Sequence, residues 1–144
     1  MASLQAEIHR DQIKIEAIEG GIRVRMSTDL LYIPGSVELD PKGRAALAKV
    51  AQQLALMTTH DYEIEVVGHT DSRPVVRKLA ERYPTNWELG GARAAAVVRY
   101  LQEQGIDPTK LKAISEGQYR PLATNDTVAG RARNRRTDLV LRRR

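Results

Sequence analysis

Two residues of this chain can do binding chemistry together: Asp71, which ends the run Gly68-His69-Thr70-Asp71, and Arg93, within Asn86-Trp87-Glu88-Leu89-Gly90-Gly91-Ala92-Arg93-Ala94. A free amino acid centre presents an ammonium and a carboxylate a few ångströms apart. One fixed carboxylate and one fixed guanidinium complement it by charge-assisted hydrogen bonds, and helix N-terminal amides strengthen the anion side. No obvious nucleophile accompanies them. A purely structural reading stands beside this one: Asp71 pairs with Arg93, or caps a loop, and structural ion pairs are the commoner case. Spacing alone leaves both open.

Other constellations are weaker. His69, Asp71 and Ser72 contain the letters of a hydrolytic triad, but neighbours at one strand end do not easily reach the geometry of such a relay. His60, Asp61, His69 and Asp71 are metal-capable types without a ligand spacing, so a solvent-facing or backbone-bonded histidine is expected. Trp87 reads as core or as a hydrophobic anchor beside a helix start, with stacking on a sugar ring as the lesser alternative. Arg135 and Arg136, in Gly130-Arg131-Ala132-Arg133-Asn134-Arg135-Arg136, are expected to brace the last strand and the pocket. The aromatic platforms of single-strand RNA readers are missing around them.

The elements that must position these residues follow from periodicity. Ile13 and Ile15, then Ile22, Val24 and Met26, alternate with charged residues around Gly20-Gly21, which predicts a β-hairpin. Asp29 to Ser36 reads as a loop ending in a turn. Asp40 as N-cap, Pro41 at the first helical position and apolar residues at Leu47, Val50, Ala51, Leu54 and Met57 predict an amphipathic helix to about Thr58. Tyr62 to Gly68 alternates as a strand, with Asp71 just past its C-terminal end. Ser72 to Pro84 reads as an ordered loop with one helical turn. Thr85 to Glu88 supplies a capping box, and Ala94, Val97, Val98 and Leu101 continue a second helix stopped by Gly105 and Asp107-Pro108. Leu111 to Ser115 is a short strand, Asn125 to Asn134 a loop with a helix, and Thr137, Leu139 and Leu141 a last strand. Two strand-helix-strand units after an antiparallel hairpin predict an α+β sandwich, a mixed sheet with helices packed on it.

Length and composition agree with that. The 144 residues suit one domain, and 42% hydrophobic against 28% charged residues excludes a disordered chain. With no Phe, one Trp and five Tyr, the core must be mostly aliphatic. Absence of cysteine excludes disulfides, thiolate metal sites and cysteine nucleophiles. No apolar run approaches the length that spans a bilayer, and Met1-Ala2-Ser3 reads as the start of an excised fragment. The net charge of +5 resides in the C-terminal arginines, and a solvated terminus with a few structural arginines is the simpler reading than a nucleic-acid surface.

Several ordered motifs carry a resemblance. Gly68-His69-Thr70-Asp71, Asn86-x-x-Leu89-x-x-x-Arg93-Ala94, Gly105, Gly117 with Pro121, and Gly130-Arg131-x-x-Asn134-Arg135-Arg136 resemble the successive signatures of the OmpA-like peptidoglycan-binding domain, over roughly residues 30 to 142. Leu31-Tyr32-x-x-Gly35-Ser36-x-x-Leu39, Ser72-Arg73-Pro74, the 15-residue step from Asp71 to Asn86, and Tyr83 to Leu89 are most similar to its flagellar-stator, MotB-like branch. The resemblance implies an OmpA-like two-layer sandwich over residues 29–144, preceded by a strand or hairpin and linker remnant over 1–28, the whole folding as one unit. It implies a non-enzymatic peptidoglycan binder without cofactor or metal, in which Asp71 and Arg93 hold the diaminopimelate of the stem peptide and Thr70, Asn86, Leu89 and Arg136 line or support the pocket. The implied partners are peptidoglycan (stem peptide, glycan or both), a second copy in a homodimer, and the A-type membrane subunit of an ion-driven stator, reached through a transmembrane segment outside this sequence. The implied location is the periplasmic side of the bacterial inner membrane. Other envelope anchors (lipoproteins, secretion systems, defence-system motors), or an assembly module with a decayed wall site, are the alternatives. Gly90-Gly91 departs from the family pattern and is expected to leave the Arg93 region adjustable, and the Ser72 to Pro84 insertion to cover or reshape the pocket.

Overall fold

The computed structural model describes residues 4–57 and 61–144. The expected fragment start at Met1-Ala2-Ser3, the helix end at Thr58, and His60 lie outside the described residues. Five strands, β1 (Ile13–Ile18), β2 (Gly21–Ser27), β3 (Tyr62–His69), β4 (Leu111–Gly117) and β5 (Arg136–Arg143), form one mixed sheet in the order β1-β2-β5-β3-β4. Only the β3–β4 pair is parallel among these; the other three pairs are antiparallel. The last strand therefore enters the middle of the sheet and is buried from Arg136 to Leu141.

Among the described residues six α-helices accompany it, α1 (Gln5–His9), α2 (Thr28–Leu31), α3 (Pro41–Met57), α4 (Arg77–Arg82), α5 (Asn86–Glu103) and α6 (Val128–Asn134), with one 3-10 turn at Pro108–Lys110. Helix α3 begins as expected, with Pro41 first and the Asp40 carboxylate accepting the Lys42 amide at 2.9 Å. Its buried stripe of Ala46, Leu47, Val50, Ala51 and Leu54 lies over the sheet side that carries Val24, Met26, Ile64, Val66, Leu139 and Leu141. The opposite sheet face is polar, and ion pairs such as Arg23–Glu16 at 2.8 Å and Arg25–Asp138 at 3.1 Å cross it.

Four local expectations change. The hairpin turn sits at Glu19-Gly20, with Gly20 at φ +80° and Gly21 already paired to Ile18, because only the residue before the second strand needs the left-handed backbone. The start of the segment expected as loop from Asp29 is helix α2, whose cap is the Ser27 hydroxyl accepting the Leu30 amide at 3.2 Å. Helix α1 was not signalled by any apolar stripe, and none of its residues is buried. Trp87 is not in the core: it is 46% exposed and stacks on Tyr119.

Gly68 and Gly90 explain how α5 comes against the end of β3. A Cβ on Gly68 would lie 2.2 Å from the Gly90 carbonyl oxygen, and one on Gly90 would lie 3.2 Å from the Gly68 oxygen and 2.7 Å from the Ser115 hydroxyl. Gly90 is thus a contact residue rather than a source of play. Gly91 is different, since an added Cβ would meet only Ser115 at an ordinary 3.7 Å. Gly68→Ala is expected to cost about 1–3 kcal/mol or more through backbone overpacking, whereas Gly91→Ala should stabilise by about 0.5–1 kcal/mol through helix propensity. Urea unfolding of both variants checks this, and equal effects of the two would contradict it.

Candidate functional site

The close approach of β3 and α5 opens a cleft of about 1120 Å³ between the end of β3, the start of α5 and the segment 28–35, with 73–79 along one side. Thr70, Asp71, Asn86, Leu89 and Arg93 all line it. Each is buried, although Trp87 and Glu88 between Asn86 and Leu89, and Ser72 and Arg73 after Asp71, are exposed.

Asp71 and Arg93 share the cleft without bonding to each other. The Asp71 carboxylate accepts the Arg73 amide at 2.9 Å, the Arg73 guanidinium at 3.0 and 3.1 Å, and Arg135 at 2.9 Å. Burial by itself would raise its pKa, but the hydrogen bonds from Arg135 and Arg73 outweigh it and hold the carboxyl below its usual range. The two arginines differ: the Arg73 side chain is 62% exposed and Arg135 21%. Arg73 was not marked from sequence as a site residue and Arg135 only as a brace of the last strand and the pocket, because spacing among closely set basic residues does not say which ones turn inward.

Arg93 is placed by the segment that precedes α3. Its Nε donates to the Ser36 carbonyl at 3.1 Å, and its guanidinium lies over the Tyr32 ring at 5.4 Å. Tyr32 is itself fixed, its hydroxyl donating to the Arg93 carbonyl at 2.9 Å with Thr137 Oγ1 at 3.1 Å, and burial pushes its pKa up to about 12. Among the described residues no carboxylate bonds the Arg93 terminal nitrogens. Burial pulls its pKa down from the ordinary arginine value, with Tyr32 opposing and Arg135 adding to the shift. A desolvated guanidinium with uncommitted donors is a receptor for an anion with two oxygens.

The remaining lining residues set the floor. Asn86 Nδ2 donates towards the backbone carbonyls of Asp71 at 3.2 Å and Arg73 at 3.0 Å and to Gln118 Oε1 at 3.0 Å, so it fixes the Asp71 loop against α5. Thr70 donates its hydroxyl to the Asp71 carbonyl at 2.8 Å, and its amide to the Gly117 carbonyl at 2.9 Å. Leu89 supplies apolar surface between them.

The sequence profile of the OmpA family matches residues 31–135, a span that holds Asp71, Arg93 and all of the cleft lining except Thr28 and Asp29. The chain belongs to the OmpA family. A motility protein B from Bacillus subtilis is 30% identical over 138 residues, covering 90% of this chain and 51% of that protein. A MotB like protein from Desulfovibrio vulgaris superposes with a TM-score of 0.86 at 31% identity, over 99% of this chain and 86% of that one. The cell wall anchor of the T6SS from Pseudomonas aeruginosa superposes with a TM-score of 0.85 at 28% identity, over 98% of this chain and 94% of that one. The chain spans about half the length of the curated relatives it matches. No described helix is long and apolar enough to cross a membrane.

In this OmpA family domain two of the residues considered from sequence lie away from the cleft. Arg136 does not line it. It begins β5 with its side chain on the polar sheet face, bonded to the carbonyls of Asn134 at 3.3 Å and Arg120 at 3.0 Å, and 3.7 Å from Asp138. The physical reason is strand parity. Arg136 and Asp138 share one face while Thr137 points to the helices, so Arg135, just before the strand, is the arginine that reaches Asp71. His69 lies on the same polar face, its Nε2 3.7 Å from Asp138, which removes it from any relay with Asp71 and Ser72. The insertion, expected as loop with one helical turn, contains α4, and its residues from Arg73 to Leu79 border the cleft without closing it.

His69 generates a pH dependence. Burial, with Arg136, Arg25 and Arg120 nearby, pulls its pKa down from 6.5 to about 4 against the opposing pull of Asp138. The unfolded chain therefore binds about one proton more than the folded one between those values. Stability from this group is complete above pH 6.5 and is lost as pH falls towards 4; the Asp71 contribution fades only below the ordinary carboxyl range. Thermal unfolding followed from pH 7.5 to 4 should show the melting temperature falling across this window, and His69→Asn should flatten the fall. An unchanged slope in the variant contradicts the assignment.

Proposed function

We propose that this domain binds peptidoglycan non-covalently and fixes a membrane-embedded, ion-driven stator of the MotB type to the cell wall from the periplasmic side. The observation that carries the reading is the cleft itself: a buried carboxylate and a buried guanidinium with uncommitted donors, side by side and not paired to each other. Asp71 takes the ammonium of a diaminopimelate stem peptide and Arg93 its carboxylate, with Thr70, Asn86 and Leu89 forming the wall of the site. Arg136 supports it from behind, by holding the Arg120 carbonyl and the start of β5. A homodimer, with the exposed edge of β1 as one candidate contact, and an A-type membrane subunit complete the assembly in this reading.

A second reading is favoured by one observation. The type VI anchor superposes over nearly its full length and as well as the MotB like protein does. The same wall site then serves another envelope system.

Arg73 has a role of its own in binding. Its exposed guanidinium occupies the side of Asp71 on which a ligand ammonium must arrive, so the ligand displaces it and Arg135 keeps the carboxylate oriented. Co-sedimentation with purified diaminopimelate-type peptidoglycan at two salt concentrations tests both points. The parent should pellet; Asp71→Ala and Arg93→Ala should lose on the order of 2–5 kcal/mol of binding; Arg73→Ala should bind as tightly as the parent or a few-fold tighter. Equal pelleting of parent and Arg93→Ala contradicts the site, and weaker pelleting of Arg73→Ala contradicts the displacement.

A further inference from the structure

The single tryptophan of the chain is spent on the surface. Trp87 and Tyr119 are 46% and 51% exposed, their ring centroids 5.0 Å apart with the planes at 29°. Apolar rings left in water forgo the stabilisation that burial would bring, and in the mostly aliphatic core Tyr32 is the buried aromatic ring.

The pair is held firmly. Trp87 is the second residue of α5, and the Thr85–Glu88 capping box fixes that helix end, with the Trp87 amide donating to the Thr85 hydroxyl at 3.2 Å and Glu88 accepting the Thr85 amide at 2.7 Å. Tyr119 follows Gly117, whose φ of +55° turns β4 back, and a Cβ there would meet the indole at 3.4 Å and the Tyr119 ring at 3.5 Å. Asn86, which lines the cleft, donates to Gln118, so the residue before each ring is tied to the residue before the other. The rings therefore form a rigid shelf one residue away from the cleft wall.

We propose that this shelf is a saccharide subsite, on which the apolar face of a pyranose ring of the glycan strand stacks while the stem peptide occupies the Asp71–Arg93 cleft. The inference rests on the wall-binding reading and extends it. Two features favour a sugar over a protein partner. Thr85, Glu88, Gln118 and Arg120 lie next to or near the two rings in sequence and carry polar groups of the kind that match ring hydroxyls and amides at the border of an apolar face. Two half-exposed aromatic side chains also offer only on the order of 200 Å² of apolar surface, against about 800 Å² per partner in a stable protein interface. Continuity with the cleft through Asn86–Gln118 places sugar and peptide on one surface, as a ligand that carries both requires.

Trp87 is its own probe. Titration with chitotetraose, a peptide-free oligomer of N-acetylhexosamine, should shift or quench the tryptophan emission saturably; Tyr119→Ala should weaken that response roughly tenfold while Tyr119→Phe keeps it, with circular dichroism showing that both variants are folded. Arg93→Ala should leave the sugar response intact. No saturable change up to millimolar sugar, or an undiminished one in Tyr119→Ala, overturns the subsite. A sugar response in a protein whose wall pelleting ignores Arg93 leaves the subsite standing and removes the stem-peptide reading instead, so the two fail separately.

Discussion

The backbone contact of Gly68 with Gly90 is the constraint from which the cleft follows. Strand β3 and helix α5 can approach this closely only because neither position carries a side chain, and the approach sets Thr70 and Asp71, just past the strand, beside Asn86, Leu89 and Arg93 on the first turns of the helix. A side chain at Gly68 would overlap the Gly90 backbone and push the two elements apart, and one at Gly90 would crowd the Ser115 hydroxyl and the Gly68 oxygen. The same contact lets one amide, Asn86 Nδ2, bridge the Asp71 loop and the Gln118 turn.

Charge at the site is arranged on both sides of the sheet end. On the cleft side Asp71 is held by Arg135 and screened by Arg73, while Arg93 rests on Tyr32 and Ser36 with no carboxylate bonded to it. On the other side Arg136, His69, Arg25 and Asp138 form a cluster in which one carboxylate serves three cationic or potentially cationic groups. Burial drives both His69 and Arg136 towards their neutral forms, Arg136 to about 10, because Asp138 is already shared. Arg93 is the buried guanidinium of the cleft lining, and among the described residues no carboxylate is bonded to it.

Much of this was legible beforehand, for reasons that differ by residue. The strand ending before Asp71 and the helix carrying Arg93 follow from alternation and capping, so their joint placement could be expected. The central position of β5 could not, since a chain order of elements carries no information on which strand the last one joins. The choice between Arg135 and Arg136 depended on where β5 starts, a boundary of one residue that reverses the face of every side chain. Arg73 sits in a segment whose helix, α4, starts at a residue with φ +60°, Arg77, a conformation that no side-chain pattern announces. Trp87 stands two residues after the capping Thr85, where apolar character suggests burial but the second helical position here faces out.

The central claim is that an ammonium and a carboxylate of one ligand enter between Asp71 and Arg93 and that Arg73 leaves as they do. The most direct measurement follows the arginine side-chain nitrogen and proton resonances of the labelled domain while a soluble diaminopimelate stem peptide is added. The account predicts saturable shifts at Arg93 and Arg73 with the Arg135 signal, bonded to Asp71 throughout, nearly still. Binding that leaves Arg93 and Arg73 unmoved, or that shifts Arg135 alone, would contradict it.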